Sequence, residues 1–531
     1  MKLRAARDKS ISKLLITRES GGGLSSWRMK IRRRDLLRGL SLGAAASILP
    51  TPARALASAL AGPDIARDSA RPEYHFLAPH NWMNDPNGPI WWRGKYHLFY
   101  QVNPHAAVWG DMHWGHATSI DMVHWRHEPV ALAPTPGGPD SEGCFSGSAV
   151  VADGVPTLLY TGVQNVPPEQ TTIRDGSDKL RETQLLATAE DDSLRTWKKQ
   201  FAPVIATPPA GMAVTGFRDP CPWREADGWY MAVGAGERGI GGCALLYRSA
   251  DLRHWDYLHP LASGKPNGLK AVNPCDSGEM WECPDFFEVN GQHCLLYSSE
   301  GKVFWTTGEY DAREHRFFEK RPGLLDHGAF YAPKSFRAPD GRRILWGWIQ
   351  ETRPEGEFAK AGWAGAMSLP RVLTIGKQGQ LQMNPAAEVA QLRGAVERAT
   401  LKPGAVIRQK LVELRRELLM PMGLFHGAVT VRLLINGDKV WELAVDVAGN
   451  AVRCGKVSLP LPSLPWPRPI LRIFLDGSVI ESFIGGREAI TSRVYVLKPR
   501  ETELEISLTG KRSIEISQWP LAPISPDRLT T

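Results

Sequence analysis

The chain has no paired CxxC spacing, almost no long helical periodicity, and no apolar run long enough to cross a bilayer. The missing pairs exclude the common zinc-ligand patterns. Seven cysteines (Cys144, Cys221, Cys243, Cys275, Cys283, Cys294 and Cys454) are an odd number, so no complete disulfide framework is indicated, and mostly reduced, buried thiols are expected. A one-signed charge is also missing from most of the chain. Residues 1–61 carry 13 Lys and Arg against 3 Asp and Glu, whereas the remainder carries 51 against 53. The formal net charge of +8 therefore belongs to the N-terminus, and no nucleic-acid partner is expected for the body.

That N-terminus runs Arg32-Arg33-Arg34-Asp35-Leu36-Leu37-Arg38, then a short apolar stretch to Leu49, then Ala55-Leu56-Ala57. Basic, apolar and small-residue parts in this order describe a secretory signal, and the arginine run resembles a twin-arginine signal. Residues 1–57 are thus expected to be a removable leader that directs the protein to the periplasm or beyond, with no membrane anchor afterwards. Translation from Met29 would give the signal a conventional length. Export by the twin-arginine route carries folded proteins, so folding need not depend on disulfides.

What is present is β-structure. At 531 residues more than one domain is expected. From about 70 to 383 short segments rich in β-branched and aromatic residues, such as KYHLFYQ, TLLYTG, GWYMAVGAG, CALLYRS and RRILWGWI, alternate with Gly, Pro, Asn and Asp clusters. A loose echo recurs as Asp121 with Trp125, Ser193 with Trp197, and Asp251 with Trp255, each a turn followed by a tryptophan. Repeated sheet units suggest a propeller, with a sandwich still open on this pattern alone. Residues 384–395 (from NPAAEVAQLR) read as a short linker helix. From 396 to 520 the alternation in VTVRLLI, KVWELAVDV, ILRIFLD and SRVYVL predicts half-buried antiparallel strands and a β-sandwich.

Three acids stand in unusual settings: Asp85 in NWMNDPNGP, Asp219 in GFRDPCPW and Glu282 in MWECPDFF, each with a proline on its C-terminal side and aromatics nearby. Singly, each has a bland reading. Asn84-Asp85-Pro86-Asn87-Gly88 is a good turn, Arg218-Asp219 a possible ion pair, and Glu282 a possible backbone-satisfied acid. Together they suggest glycosidic bond chemistry, which needs one ionised carboxylate to attack and one protonated carboxyl to donate. The apolar neighbours Met280 and Trp281 predict a raised pKa for Glu282.

WMNDPNG, FRDP and WECP together resemble glycoside hydrolase family 32, the invertase, inulinase and levanase family. The resemblance extends through HLFYQVNP, AAVWGDMHWGHA, FSGSAV, FYAPKSF, RRILWGWI and GWAGAMSLPR into LRIFLDGSVIESFIGGREAITSRVYV. It implies an all-β fold, a five-bladed propeller followed by a C-terminal sandwich, with retention of configuration and neither metal nor cofactor. It further implies Asp85 as nucleophile, Asp219 as transition-state stabiliser and Glu282 as acid/base. Asn84, Gln101, Trp109, Phe145, Ser146 and Arg218 would line the fructose pocket, and sucrose or fructan would be the substrate. Gln101, Trp109 and Ser146 also have structural readings, as an inward strand residue, a core aromatic and a turn serine. Val102 departs from the aromatic common there in the family; as the strand neighbour of Gln101 its side chain is expected to point away from the pocket. Fructosyl transfer, endo action and non-catalytic fructan binding are the rival readings.

Overall fold

A computed structural model describes residues 64–422, 427–461, 470–526 and 528–529. The leader expected over 1–57 lies outside the described residues. Among the described residues no helix is long and apolar enough to cross a membrane.

Residues 81–385 form five sheets, each built on an antiparallel meander of successive strands. Their first strands are Asn81–Trp92, Gly143–Ala152, Val214–Glu225, Glu282–Val289 and Phe330–Arg337. The hairpin logic is local. Asp153-Gly154 and Asn290-Gly291 both take positive φ at two successive residues, the turn whose twist matches paired strands and which Asn, Asp and Gly tolerate. These first strands touch in cyclic order: first to second, on to the fifth, and the fifth back to the first. Trp363–Ala364 pairs in parallel with Asn81 and Trp82, so a segment from the last sheet returns to the first.

The tryptophan echo is a turn between third and fourth strands. Trp125, Trp197 and Trp255 each donate the indole N–H to the carbonyl three residues back, at Met122, Leu194 and Leu252, all of which have positive φ. Asp121 and Asp251 accept the turn's backbone N–H groups, but in the second sheet that part is played by Asp191 rather than Ser193, because its loop is two residues longer.

The segment read as a linker helix begins within a strand, Leu381–Pro385, and then forms a 3-10 helix, Ala387–Leu392, with Val389 and Leu392 buried. Beyond it lie two six-stranded antiparallel sheets. Gly427–Ile435 alternates buried and half-buried positions, and Val429, Val431 and Leu433 enter a core with Leu443, Ile473 and Ile506. SRVYVL is a strand only through Arg493: Val494 donates its N–H to Ser478, and the Tyr495 hydroxyl donates to Glu351, which turns the chain toward the five-sheet region.

Between the two regions Phe330, Leu345 and Leu369 pack with Phe474, Phe483 and Ala489. Embedded there is a cluster of fully buried charge. Arg371 donates to Asp326 and Glu481, and His75 lies between Asp476 and Glu481.

Candidate active site

Each of the five first strands carries an irregularity at the same level. The pairing register breaks at Asn84-Asp85, at Ser146, at Asp219-Pro220, at Cys283-Pro284 and at Ala332-Pro333. In four of the five a proline, which has no N–H to give a ladder, stands at the break (Pro86, Pro220, Pro284 and Pro333), whereas the break at Ser146 has none; a bulge re-aims the side chains beside it. Asp219, Cys283 and Ala332 take φ of 68°, 48° and 47°, strain that non-glycine residues hold only where the surroundings impose it. Residues at or beside these breaks, among them Asp85, Ser146, Asp219, Cys283 and Tyr331, line one cavity.

All nine residues expected at the site, Asn84, Asp85, Gln101, Trp109, Phe145, Ser146, Arg218, Asp219 and Glu282, line one cavity of about 420 Å³. Gln101 donates from Nε2 to Ser146 Oγ at 2.9 Å, and Ser146 in turn donates to Asp85 Oδ2 at 2.6 Å. Asn84 Nδ2 donates to Asp85 Oδ1 at 3.0 Å, while its own oxygen accepts from Trp82. Val102, by contrast, packs away from the pocket in the core with Phe76 and Tyr100. Trp109 is a rim residue rather than core: it is 59% exposed and meets Phe145 edge to face at 5.9 Å.

Arg218 forks between two acids, donating from Nη1 to Glu182 and from Nη2 to Glu282, both at 2.9 Å. Glu282 also accepts from the Tyr331 hydroxyl at 2.7 Å. Asp219 Oδ2 accepts the Cys283 backbone N–H at 2.8 Å, and the Cys283 thiol lies 3.4 Å from Asp85 Oδ2, so this one residue touches both aspartates.

Burial pushes Asp219 up to about 7; Arg218 pulls the other way, but the charges of Glu282 and Asp85 add to the rise. Burial also raises Asp85, against the bonds from Ser146 and Asn84. Glu282 is the correction to the sequence reading. Burial does raise it, but the adjacent Arg218 and the Tyr331 hydroxyl outweigh that and hold it below its usual range in the free protein. The apolar neighbours that suggested a raised value point elsewhere: Trp281 stacks on Tyr297.

Sequence reasoning did not single out Glu182, Tyr331 or Cys283. Tyr331 and Cys283 stand in FYAPKSF and WECP, where the same X-Pro bulge was a usable signal; Glu182, in LRETQL, had none. Another cavity, about 720 Å³, lies further along the same inner strands and includes Asp285 and Lys334. There Ser335 and Arg343 engage Asp285, and Lys334 donates to the Pro284 carbonyl.

The model for the glycosyl hydrolases family 32 N-terminal domain matches residues 75–385, and that for the family 32 C-terminal domain matches 467–520. The chain is 38% identical to a sucrose-6-phosphate hydrolase of Escherichia coli, over 84% of this chain and 93% of that one. It is 36% identical to a cell wall beta-fructofuranosidase of Zea mays, over 73% of this chain and 67% of that one. Among solved structures, a Bombyx mori GH32 beta-fructofuranosidase aligns with a TM-score of 0.73 at 30% identity, covering 87% of this chain and 96% of its own. Fructan 1-exohydrolase IIa of Cichorium intybus aligns at 0.72 and 30%, covering 86% and 98%. The Bombyx protein has been solved in complex with sucrose and the Cichorium protein with 1-kestose. Sequence likeness over both regions and likeness of fold agree, and the chain belongs to glycoside hydrolase family 32.

Proposed function

We propose that the protein is an exported, retaining β-fructofuranosidase that releases terminal fructosyl units from sucrose or fructans. In this reading the five sheets (70–383) are the blades of a propeller with the pocket on its axis, 396–520 is a sandwich that buttresses it, and the leader directs export. The observation that carries the reading is the bulged level of the five inner strands, which turns Asp85, Ser146, Asp219, Glu282 and Tyr331 into one cavity. The complexes of the Bombyx and Cichorium relatives with sucrose and 1-kestose support the substrate class.

Asp85, with both oxygens aimed by Asn84 and Ser146, attacks C2 of the fructosyl unit. The C2–O bond breaks, and the leaving oxygen takes the bonding pair and the Glu282 proton. Water then gives a proton to the Glu282 carboxylate as its oxygen bonds to C2, and the Asp85 ester is released. Asp219 and Arg218 hold sugar hydroxyls. A bound sugar that draws Arg218 onto its hydroxyls loosens the Arg218–Glu282 pair and displaces water, and both changes raise Glu282 toward the protonated form that the first step needs.

The test is the product profile over time on sucrose, sucrose 6-phosphate, inulin and levan. Free fructose from the outset supports the exo-hydrolase and ranks its substrates. Longer oligosaccharides from sucrose would replace it with a fructosyltransferase, and a folded sample giving no product would replace it with a binding protein.

A further inference from the structure

The segment NPHAAVWGDMH, residues 103–113, carries Trp109 at the pocket rim, and the same segment gathers three potential metal ligands. We propose that His105, Asp111 and His113 form a site for one divalent first-row transition ion, with zinc as the reference case, and that the bound ion pins the Trp109 loop.

His105 Nε2 lies 3.2 Å from Asp111 Oδ2, His113 Nδ1 lies 3.8 Å from Asp111 Oδ1, and the three ligand atoms lie within 4.8 Å of one another. Zinc with bonds of about 2.0–2.2 Å in a tetrahedron sets its ligand atoms about 3.3–3.6 Å apart. One spacing is already there and the others need only a short closure. The two imidazoles meet edge to face, with ring centroids 5.7 Å apart and planes at 84°, so each can turn a nitrogen to a common point without the rings colliding. Two imidazoles and a carboxylate are a donor set suited to zinc, copper or nickel rather than to magnesium or calcium.

The site is partly built. His113 is only 13% exposed at the side chain, and its Nδ1 donates to the Asp111 carbonyl at 2.7 Å, a bond that an ion taking this nitrogen replaces. Binding through Nδ1 moves the ring proton to Nε2. His105 and Asp111 are the exposed half, 70% and 48% accessible at the side chain. From within, Asn103 braces the loop: its oxygen accepts from the N–H groups of His105 and Ala106, and its nitrogen donates to Val108. An ion on the outside would join the two ends of the loop, residues 105 and 111–113, on either side of Trp109. The opening to solvent leaves room for water to complete the coordination.

The inference does not rest on the proposed reaction, and neither does its test. Full-length chain without a histidine tag is titrated with zinc against a competing zinc indicator near neutral pH; all seven cysteines are buried and do not compete. One saturable site per chain is expected, weakened at least tenfold in His105→Ala and in Asp111→Asn. Because His105 projects into solvent, its loss leaves the fold intact, which unchanged circular dichroism verifies. Absence of saturable binding, or equal binding by both variants, overturns the site. Zinc should also slow hydrogen exchange of the backbone amides between 104 and 112 in the parent chain and not in His105→Ala; binding without that slowing overturns the pinning.

Discussion

The pocket and the junction between the two regions both bury several carboxylates around an arginine, yet Asp219 in the pocket and Glu481 at the junction are shifted in opposite directions. At the junction every oxygen of Asp326, Asp476 and Glu481 accepts at least one bond, and the donors include Arg371 and His75. There burial alone would raise Glu481, but Arg371 and His75 prevail and take it down to about 2. In the pocket Arg218 alone faces Glu182 and Glu282, while Asp85 has only neutral donors and one oxygen of Asp219 has none among the described residues. There Asp219 rises to about 7. Burial is common to both, so it is the supply of donors and cations that decides which way a buried acid is shifted.

The largest contrast is expected from Asp85→Asn, which should lower turnover roughly 10⁴-fold or more while leaving the melting curve near that of the parent. Parent-like rates in a pure sample would remove Asp85 from the mechanism. Glu282→Gln should cost about 10²–10⁴-fold on sucrose and much less on a fructoside with an activated leaving group, measured as kcat/KM on both. Equal losses would show that Glu282 is not the proton donor.

On the junction side, Arg371→Met leaves Asp326 without its cation and Glu481 with His75 alone, and should destabilise by about 3–5 kcal/mol in urea denaturation. A change under 1 kcal/mol, by the scale of exposed pairs, would erase the distinction drawn between the clusters.

The smallest effect is the sharpest in sign. Asp219 binds its proton more tightly folded than unfolded, so its contribution to stability is complete below pH 3.8 and is lost as pH rises to about 7. Asp219→Asn should therefore be more stable than the parent at pH 8, by at most about 4 kcal/mol, and equal to it near pH 3. A variant less stable than the parent at pH 8 would mean that Asp219 is held by partners, as the junction acids are.

Much of this was legible in the sequence for a local reason. Asp85-Pro86, Asp219-Pro220 and Cys283-Pro284 each fall at a break in a ladder, so the motifs marked these places in the sequence, although NDPNG read as a turn is a bulge inside the strand Asn81–Trp92. Period-two alternation likewise gave the strands of 427–435 and 438–446. The end of SRVYVL was not legible, because Tyr495 leaves its sheet to reach Glu351, 144 residues away. Nor was Asp191, since a loop longer by two residues hid the repeat.

By itself the sequence determined the strand pattern, the bulged turns and which acids stand in them, because each depends on neighbours a few residues apart. Tertiary structure decided the electrostatics. Glu282 is lowered by Arg218, 64 positions away, and by Tyr331, 49 away, while Glu182 joins the pocket from a strand with no motif at all. A charge acts through space, and the nearest cation to a buried acid is set by how sheets pack rather than by where residues stand along the chain.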